Sequence, residues 1–198
     1  MLKKTDLRVI KTKKFIHDAF LKLMNEKGFE KITINDIAEN AQVNRSTFYL
    51  HYTDKYNLLE EIVDCAIREL MTTVDPNTHT SEDNFIIMEN LKNNIKSLLD
   101  VIHADILFYK AVLGKNGMLQ IRQRIMDAIK EGLKESFQNK GLIPMDMLLD
   151  LVSAVYMETV VWWVNGDMRY SSAYVAEQLV QFLALGPVMA TGRKGVIQ

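Results

Sequence analysis

The stretch Thr33–Lys55, TINDIAENAQVNRSTFYLHYTDK, constrains the fold more than any other part of the chain. Thr33 stands where a helix needs an N-cap, because its hydroxyl can accept from a backbone N–H two or three residues on. Ile34, Ile37 and Ala38 then fall at i, i+3 and i+4, an apolar stripe that faces a core. Ala41-Gln42-Val43 interrupts the stripe, and Asn44 offers a second cap. The segment behind it, Arg45 to Tyr52, mixes basic, hydroxyl and aromatic side chains. Two short capped helices about a tight turn are the signature of a helix-turn-helix, whose second helix enters a DNA major groove.

The rest of the chain reads as helices punctuated by glycine, proline and cap residues. Residues 1–9 form a basic arm or a frayed helix start. An amphipathic helix follows from Ile10 to Lys27, with Ile16, Ala19, Phe20, Leu23 and Met24 on one face and Gly28 as its stop. Asp54 caps a fourth helix that carries Leu58, Leu59, Ile62, Val63, Ala66, Ile67 and Leu70 and ends before Asp75-Pro76-Asn77. The polar segment Thr78–Asp83 precedes a fifth helix from Asp83 to Ile102. Asp105 caps a sixth that ends at Gly114, and a seventh runs from Gly117 to Asn139 and stops at Gly141. Pro144 opens an eighth helix to Val164. Ser171 or Ser172 starts a ninth, stopped by Gly186-Pro187, and the last eleven residues read as a tail. The fold class is therefore all-α. About nine helices make an N-terminal three-helix DNA-binding unit, residues 1–53, and a C-terminal helical bundle, residues 54–198.

Charge separates the two parts. Residues 1–60 hold eleven Lys/Arg against eight Asp/Glu, whereas the whole chain has a net charge of −1. A basic front on an acidic body suits a chain that meets phosphates with its N-terminal third. The single cysteine, Cys65, fits a reducing cytoplasm. The most apolar stretch, Met145–Val164, is broken by Asp146, Asp150 and Glu158, which argues against a membrane partner.

The pattern formed by Thr33, Asp36, Ile37, Ala38, Ala41, Val43, Thr47, Phe48, Tyr49, His51, Asp54, Lys55, Leu58 and Leu59 closely resembles the DNA-binding signature of TetR-type (TetR/AcrR) transcriptional regulators. The stretch Trp163-Val164-Asn165-Gly166-Asp167-Met168-Arg169-Tyr170-Ser171 is also similar to a segment found in a subset of these regulators. One departure stands out. The family usually has glycine after the alanine at 41, and Gln42 replaces it here. A residue with a Cβ at positive φ costs about 1–2 kcal/mol, so the turn is expected to be strained.

The residues expected to face operator DNA are Thr33, Asn44, Arg45, Ser46, Thr47, Tyr49, His51 and Lys55. Arg45 can donate two bonds to guanine O6 and N7, and Ser46 can bond a base or a phosphate. The resemblance implies that Thr47, Tyr49 and His51 position the DNA backbone. Lys55 is expected to add a phosphate contact beside the N-terminus of the fourth helix. Phe48 and Tyr52 read as core.

Beyond residue 60 no nucleophile elbow, paired-cysteine motif, zincin motif or phosphate loop stands in the sequence, so neither an enzyme nor a metal or other cofactor is expected. Met88, Phe108, Met126, Tyr156 and Trp162 are expected either to line a cavity for a small apolar effector or to form ordinary core. The eighth helix is apolar on more than one face, which implies burial against a second chain. Val152, Val155, Val160, Val175, Leu179 and Phe182 are the expected homodimer interface, and the resemblance implies the same two helices. The resulting expectation is a cytoplasmic, homodimeric, DNA-binding regulator, a repressor by the family's habit, tuned by a small molecule. The rival is a protein-binding coactivator that keeps the helix-turn-helix shape.

Overall fold

A computed structural model describes residues 7–73, 86–114, 118–136 and 143–191. The basic arm before residue 7, the Asp75-Pro76-Asn77 break, the Thr78–Asp83 segment, the Gly117 start, the Asn139 end and Gly141 stop, and the tail from Gly192 lie outside them. The described residues form nine α-helices: α1 Leu7–Lys27, α2 Ile34–Asn40, α3 Arg45–Tyr49, α4 Lys55–Thr73, α5 Met88–Ala104, α6 Ile106–Leu113, α7 Leu119–Ser136, α8 Met145–Asn165 and α9 Ser172–Ala190. A single 3₁₀ turn, Phe29–Lys31, links α1 to α2.

Packing divides the chain elsewhere than at residue 53. One compact unit comprises Met1–Ala66 with Leu107–Met118, and the other comprises Ile67–Ile106 with Leu119–Gln198. The reason is visible in α4. Its first turns bury Leu58, Leu59, Ile62 and Val63, so they belong to the first core although the helix continues unbroken to Thr73. Helix α6 joins the same unit, burying Phe108, Tyr109, Ala111, Val112 and Leu113. The Asn25 amide ties α6 to α1 by donating to the carbonyls of Leu21 (2.8 Å) and Leu107 (2.9 Å).

In the first unit α1 supplies Ile16, Ala19, Phe20, Leu23 and Met24 to the core, the periodic set expected of it. Gly28 ends the helix at φ 78°, a conformation that costs glycine nothing. Phe29 then turns inward and meets Phe20 edge to face at 6.1 Å.

The second unit contains two helix pairs. Helix α5 lies along α9, with Ile95, Leu99 and Ile102 buried on one and Val175, Ala176, Leu179 and Val180 on the other. Helix α7 lies along α8, where Arg122 pairs with Glu158 and Lys130 with Asp150 at 2.6 Å. By length and composition α8 would pass for a membrane span. These two ion pairs, and the burial of Leu149, Ser153 and Met157, make it a helix of the bundle instead. Between α8 and α9 the chain reverses through Asp167 and Met168, both at positive φ, and the Trp163 indole N–H donates to the Tyr170 carbonyl at 2.8 Å. Ser171, not Ser172, caps α9 by accepting from the Tyr174 N–H. Gly186, at φ 73°, kinks that helix rather than ending it.

Two groups of residues singled out in the sequence have neighbours within the chain. Val175 and Leu179 are only 3% and 5% exposed, on the helix that packs along the chain's own α5. Of the expected effector residues, Phe108 is buried within the first unit, whereas Trp162, in the second, is half exposed and stacked on Tyr170.

Candidate nucleic-acid interface

Helix α2 is fixed at both ends by local bonds. Thr33 and Asp36 form a reciprocal capping box: the Asp36 N–H donates to Thr33 Oγ1 (3.2 Å) and the Thr33 N–H to Asp36 Oδ2 (2.7 Å). Lys27, from the last turn of α1, reaches Asp36 Oδ2 at 2.7 Å. The Lys27 contact, with the Thr33 bonds second, holds the Asp36 carboxyl down at about 2. Thr33 thus sets where α2 begins, with its hydroxyl committed to the cap.

At the other end the Val43 N–H bonds the Ala38 carbonyl (2.9 Å) and the Gln42 N–H bonds that of Glu39 (3.1 Å). This is a Schellman ending, and its left-handed position is held by Gln42 at φ 55°. The turn expected from the missing glycine is therefore present, and glutamine bears its strain. Gln42→Gly should raise the melting temperature by several degrees, since it relieves about 1 kcal/mol. An unchanged or lower value in a thermal melt would mean that the glutamine side chain compensates.

Helix α3 starts at Arg45, directly behind the expected cap position. Asn44 occupies the N-cap position, yet its side chain makes no capping bond; its carbonyl accepts from Thr47 (2.9 Å) and Phe48 (3.2 Å) instead. Phe48 is wholly buried, 5.7 Å from Tyr49 and 5.6 Å from Tyr52 between ring centres. The opposite face presents Arg45, Ser46, Tyr49 and Leu50 to solvent, with Thr47 and His51 half-buried at its margins. Arg45 and Tyr49 organise each other: the guanidinium lies 5.6 Å from the ring centre and donates to the phenol oxygen at 3.3 Å.

Behind α3 a polar network absent from the sequence reading braces the unit. The Tyr52 hydroxyl donates to Glu61 Oε1 (3.0 Å), so it must accept from His17 Nε2 (2.8 Å), which places a proton on that nitrogen. Lys13 donates to both Glu61 oxygens, at 2.9 and 2.8 Å. Burial pushes the Glu61 carboxyl up, but the bonds from Lys13 and Tyr52 outweigh it and leave the group below its usual range. Burial, helped by Glu61, pushes the Tyr52 phenol up. The network joins α1, the end of the α3 segment and α4 by side chains far apart in sequence.

Lys55 has a different role from the phosphate contact expected of it. Its ammonium donates to the carbonyls of Phe29 (3.0 Å), Glu30 (3.1 Å) and Ile32 (3.1 Å), and it lies 4.5 Å from the centre of the Phe29 ring. An ammonium has three donors, and all three are used. Lys55→Met should therefore destabilise the unit by about 1–3 kcal/mol. The slope of log affinity for DNA against log salt should stay as in the wild type. A slope reduced by about 0.9 would restore the phosphate contact.

An all-α chain whose first unit carries a capped helix-turn-helix on a braced three-helix support is, by class, a helix-turn-helix protein. It belongs to the TetR family. The family model described as bacterial regulatory proteins, tetR family, matches residues 16–62, and the transcriptional regulator C-terminal region matches residues 89–184. The chain is 31% identical over 101 residues to the uncharacterized HTH-type transcriptional regulator YxbF of Bacillus subtilis, covering 50% of this chain and 26% of that one. It is 26% identical over 160 residues to the HTH-type transcriptional regulator AcrR of Shigella flexneri, covering 75% of this chain and 74% of that one. The match to YxbF thus spans about a quarter of that relative. In fold, the chain superposes on a TetR transcriptional regulator from Streptococcus agalactiae with a TM-score of 0.65 at 23% identity, over 90% of this chain and 96% of that one. The protein is a TetR-family transcriptional regulator with a DNA-binding helix-turn-helix domain.

Proposed function

We propose that the protein acts in the cytoplasm as a homodimeric, sequence-specific repressor that grips an operator with α3 and releases it when a small effector binds the second unit. The observation that carries this reading is the face of α3. Arg45, Ser46 and Tyr49 stand exposed on a helix whose opposite side is locked by buried Phe48 and by the Tyr52 network. A rigid support under an exposed donor face is what base reading needs. Two such faces in a dimer would engage half-sites about 34–36 Å apart, one DNA turn. Repression is the sign this reading adopts, because a dimer clamped on an operator that overlaps a promoter would occlude it.

The material for dimerisation is on α8. Met147 and Leu151 are each 51% exposed and Trp162 is 49% exposed, at spacings that put them on one side with half-buried Val155. Val152, Val160 and Phe182 are half-buried and remain in the proposed interface. Of the expected effector residues we retain Met126 and Tyr156, on the packed pair α7 and α8. An effector works only through different affinity for the two states, and α4, continuous from Lys55 to Thr73, is the element through which it would shift the half-site spacing.

Arg45→Ala tests the base-reading role. It should cost about 1–3 kcal/mol at one operator position while leaving affinity for random DNA nearly unchanged. Competition gel-shifts with single-base operator variants check it; equal losses on specific and random DNA would reduce Arg45 to a phosphate contact.

A further inference from the structure

We infer that Leu50 is a specificity residue that reads the C5-methyl group of a thymine in the operator. This rests on the proposed binding of DNA by α3. Leu50 is 80% exposed, the highest value among the exposed large hydrophobic residues described. A lone surface leucine is ordinary, but this one has a particular place. It follows Tyr49 directly with helical backbone angles (φ −70°, ψ −20°), and its N–H bonds the Ser46 carbonyl at 3.2 Å. Its side chain therefore lies one turn beyond Ser46, on the side of α3 away from Phe48, and continues the row begun by Arg45 and Ser46.

That row combines the two chemistries peculiar to the major groove. Arg45 offers paired donors for guanine O6 and N7, and Leu50 offers an uncovered apolar surface for the methyl group that only thymine presents there. Phosphates and sugars have no counterpart to that methyl. Five residues of helix span about 7.5 Å, so the thymine should lie on the order of two base steps from the guanine that Arg45 contacts.

The experiment begins with an operator selected from random DNA by the full-length wild type. Each thymine is then replaced in turn by deoxyuridine, which removes the methyl and nothing else. The wild type should lose about fourfold in affinity per half-site at one symmetry-related thymine, the worth of one buried methyl. Leu50→Ala, with a melting curve like the wild type's, should bind methylated and unmethylated operators equally, and Leu50→Met should restore the discrimination. The proposal is overturned if no thymine methyl affects wild-type binding, or if Leu50→Ala discriminates as well as the wild type. A selection that enriches no sequence would instead defeat the DNA-binding reading, and Leu50's role with it.

Discussion

Phe48→Ala should abolish operator binding by melting the support under α3, and not by removing a DNA contact. Phe48 is wholly buried, and its ring packs against Tyr49 on one side and Tyr52 on the other. Truncating a buried phenylalanine costs about 3–5 kcal/mol, through lost burial and the cavity left behind. Whole domains are stable by only about 5–15 kcal/mol, so the loss is a large share of what holds this small unit together. The neighbouring change Tyr49→Ala is the control. Tyr49 is half exposed, so its loss should cost the melt far less than Phe48→Ala, on the order of 1 kcal/mol, while still weakening operator binding. Circular-dichroism melts of the two variants, read beside gel-shifts, separate the effects. A Phe48→Ala protein with a normal melt would show that its ring is not part of the core.

The double variant Leu151→Lys/Val155→Lys should turn the proposed dimer into a monomer and reduce operator affinity by about 10²–10⁴-fold. The two residues are one turn apart on the apolar side of α8, where an incoming partner would bury both charges without a counter-ion. A stable interface buries more than about 1,200 Å² with an apolar centre. The monomer would keep its helix-turn-helix and hold one half-site, without the gain that tethering two sites brings. Light scattering after size exclusion, with operator titrations, checks both parts. Leu179→Glu would not serve, because Leu179 is buried under α5 and a charge there would unfold the chain itself. Lysine variants that stay dimeric with full affinity would move the interface off this stripe.

How much of this was legible in the sequence follows from the range of each interaction. The positive φ at Gln42 was expected from the resemblance, which puts glycine there, whereas the Thr33 cap was readable because its bond spans only three residues. Helix periodicity found the buried faces of α1 and α4 for the same reason. The three carbonyl contacts of Lys55 were not readable because its acceptors lie 23 to 26 residues away, and its own neighbourhood resembles any helix N-terminus. The Tyr52 hydroxyl has partners 35 and 9 residues distant, so the core position was readable and the network was not. Val175 and Leu179 show a further limit. A periodic stripe says that a face is covered, but not whether the chain's own α5 or a second chain covers it. The division of compact units within α4 was not readable either, since the helix is continuous and nothing in its pattern marks where one core hands it to the next.

The central claim is that α3 reads a specific DNA sequence, and selection of bound fragments from genomic and random DNA at about 0.15 M salt tests it most directly. The expected result is enrichment of one inverted repeat with half-site centres about one helical turn apart. That enrichment should be lost at a single base position in each half-site when Arg45 is changed to alanine. Binding that is equally strong on random competitor at every salt concentration, or no enriched sequence, would contradict the claim and leave the helix-turn-helix as a surface for another protein.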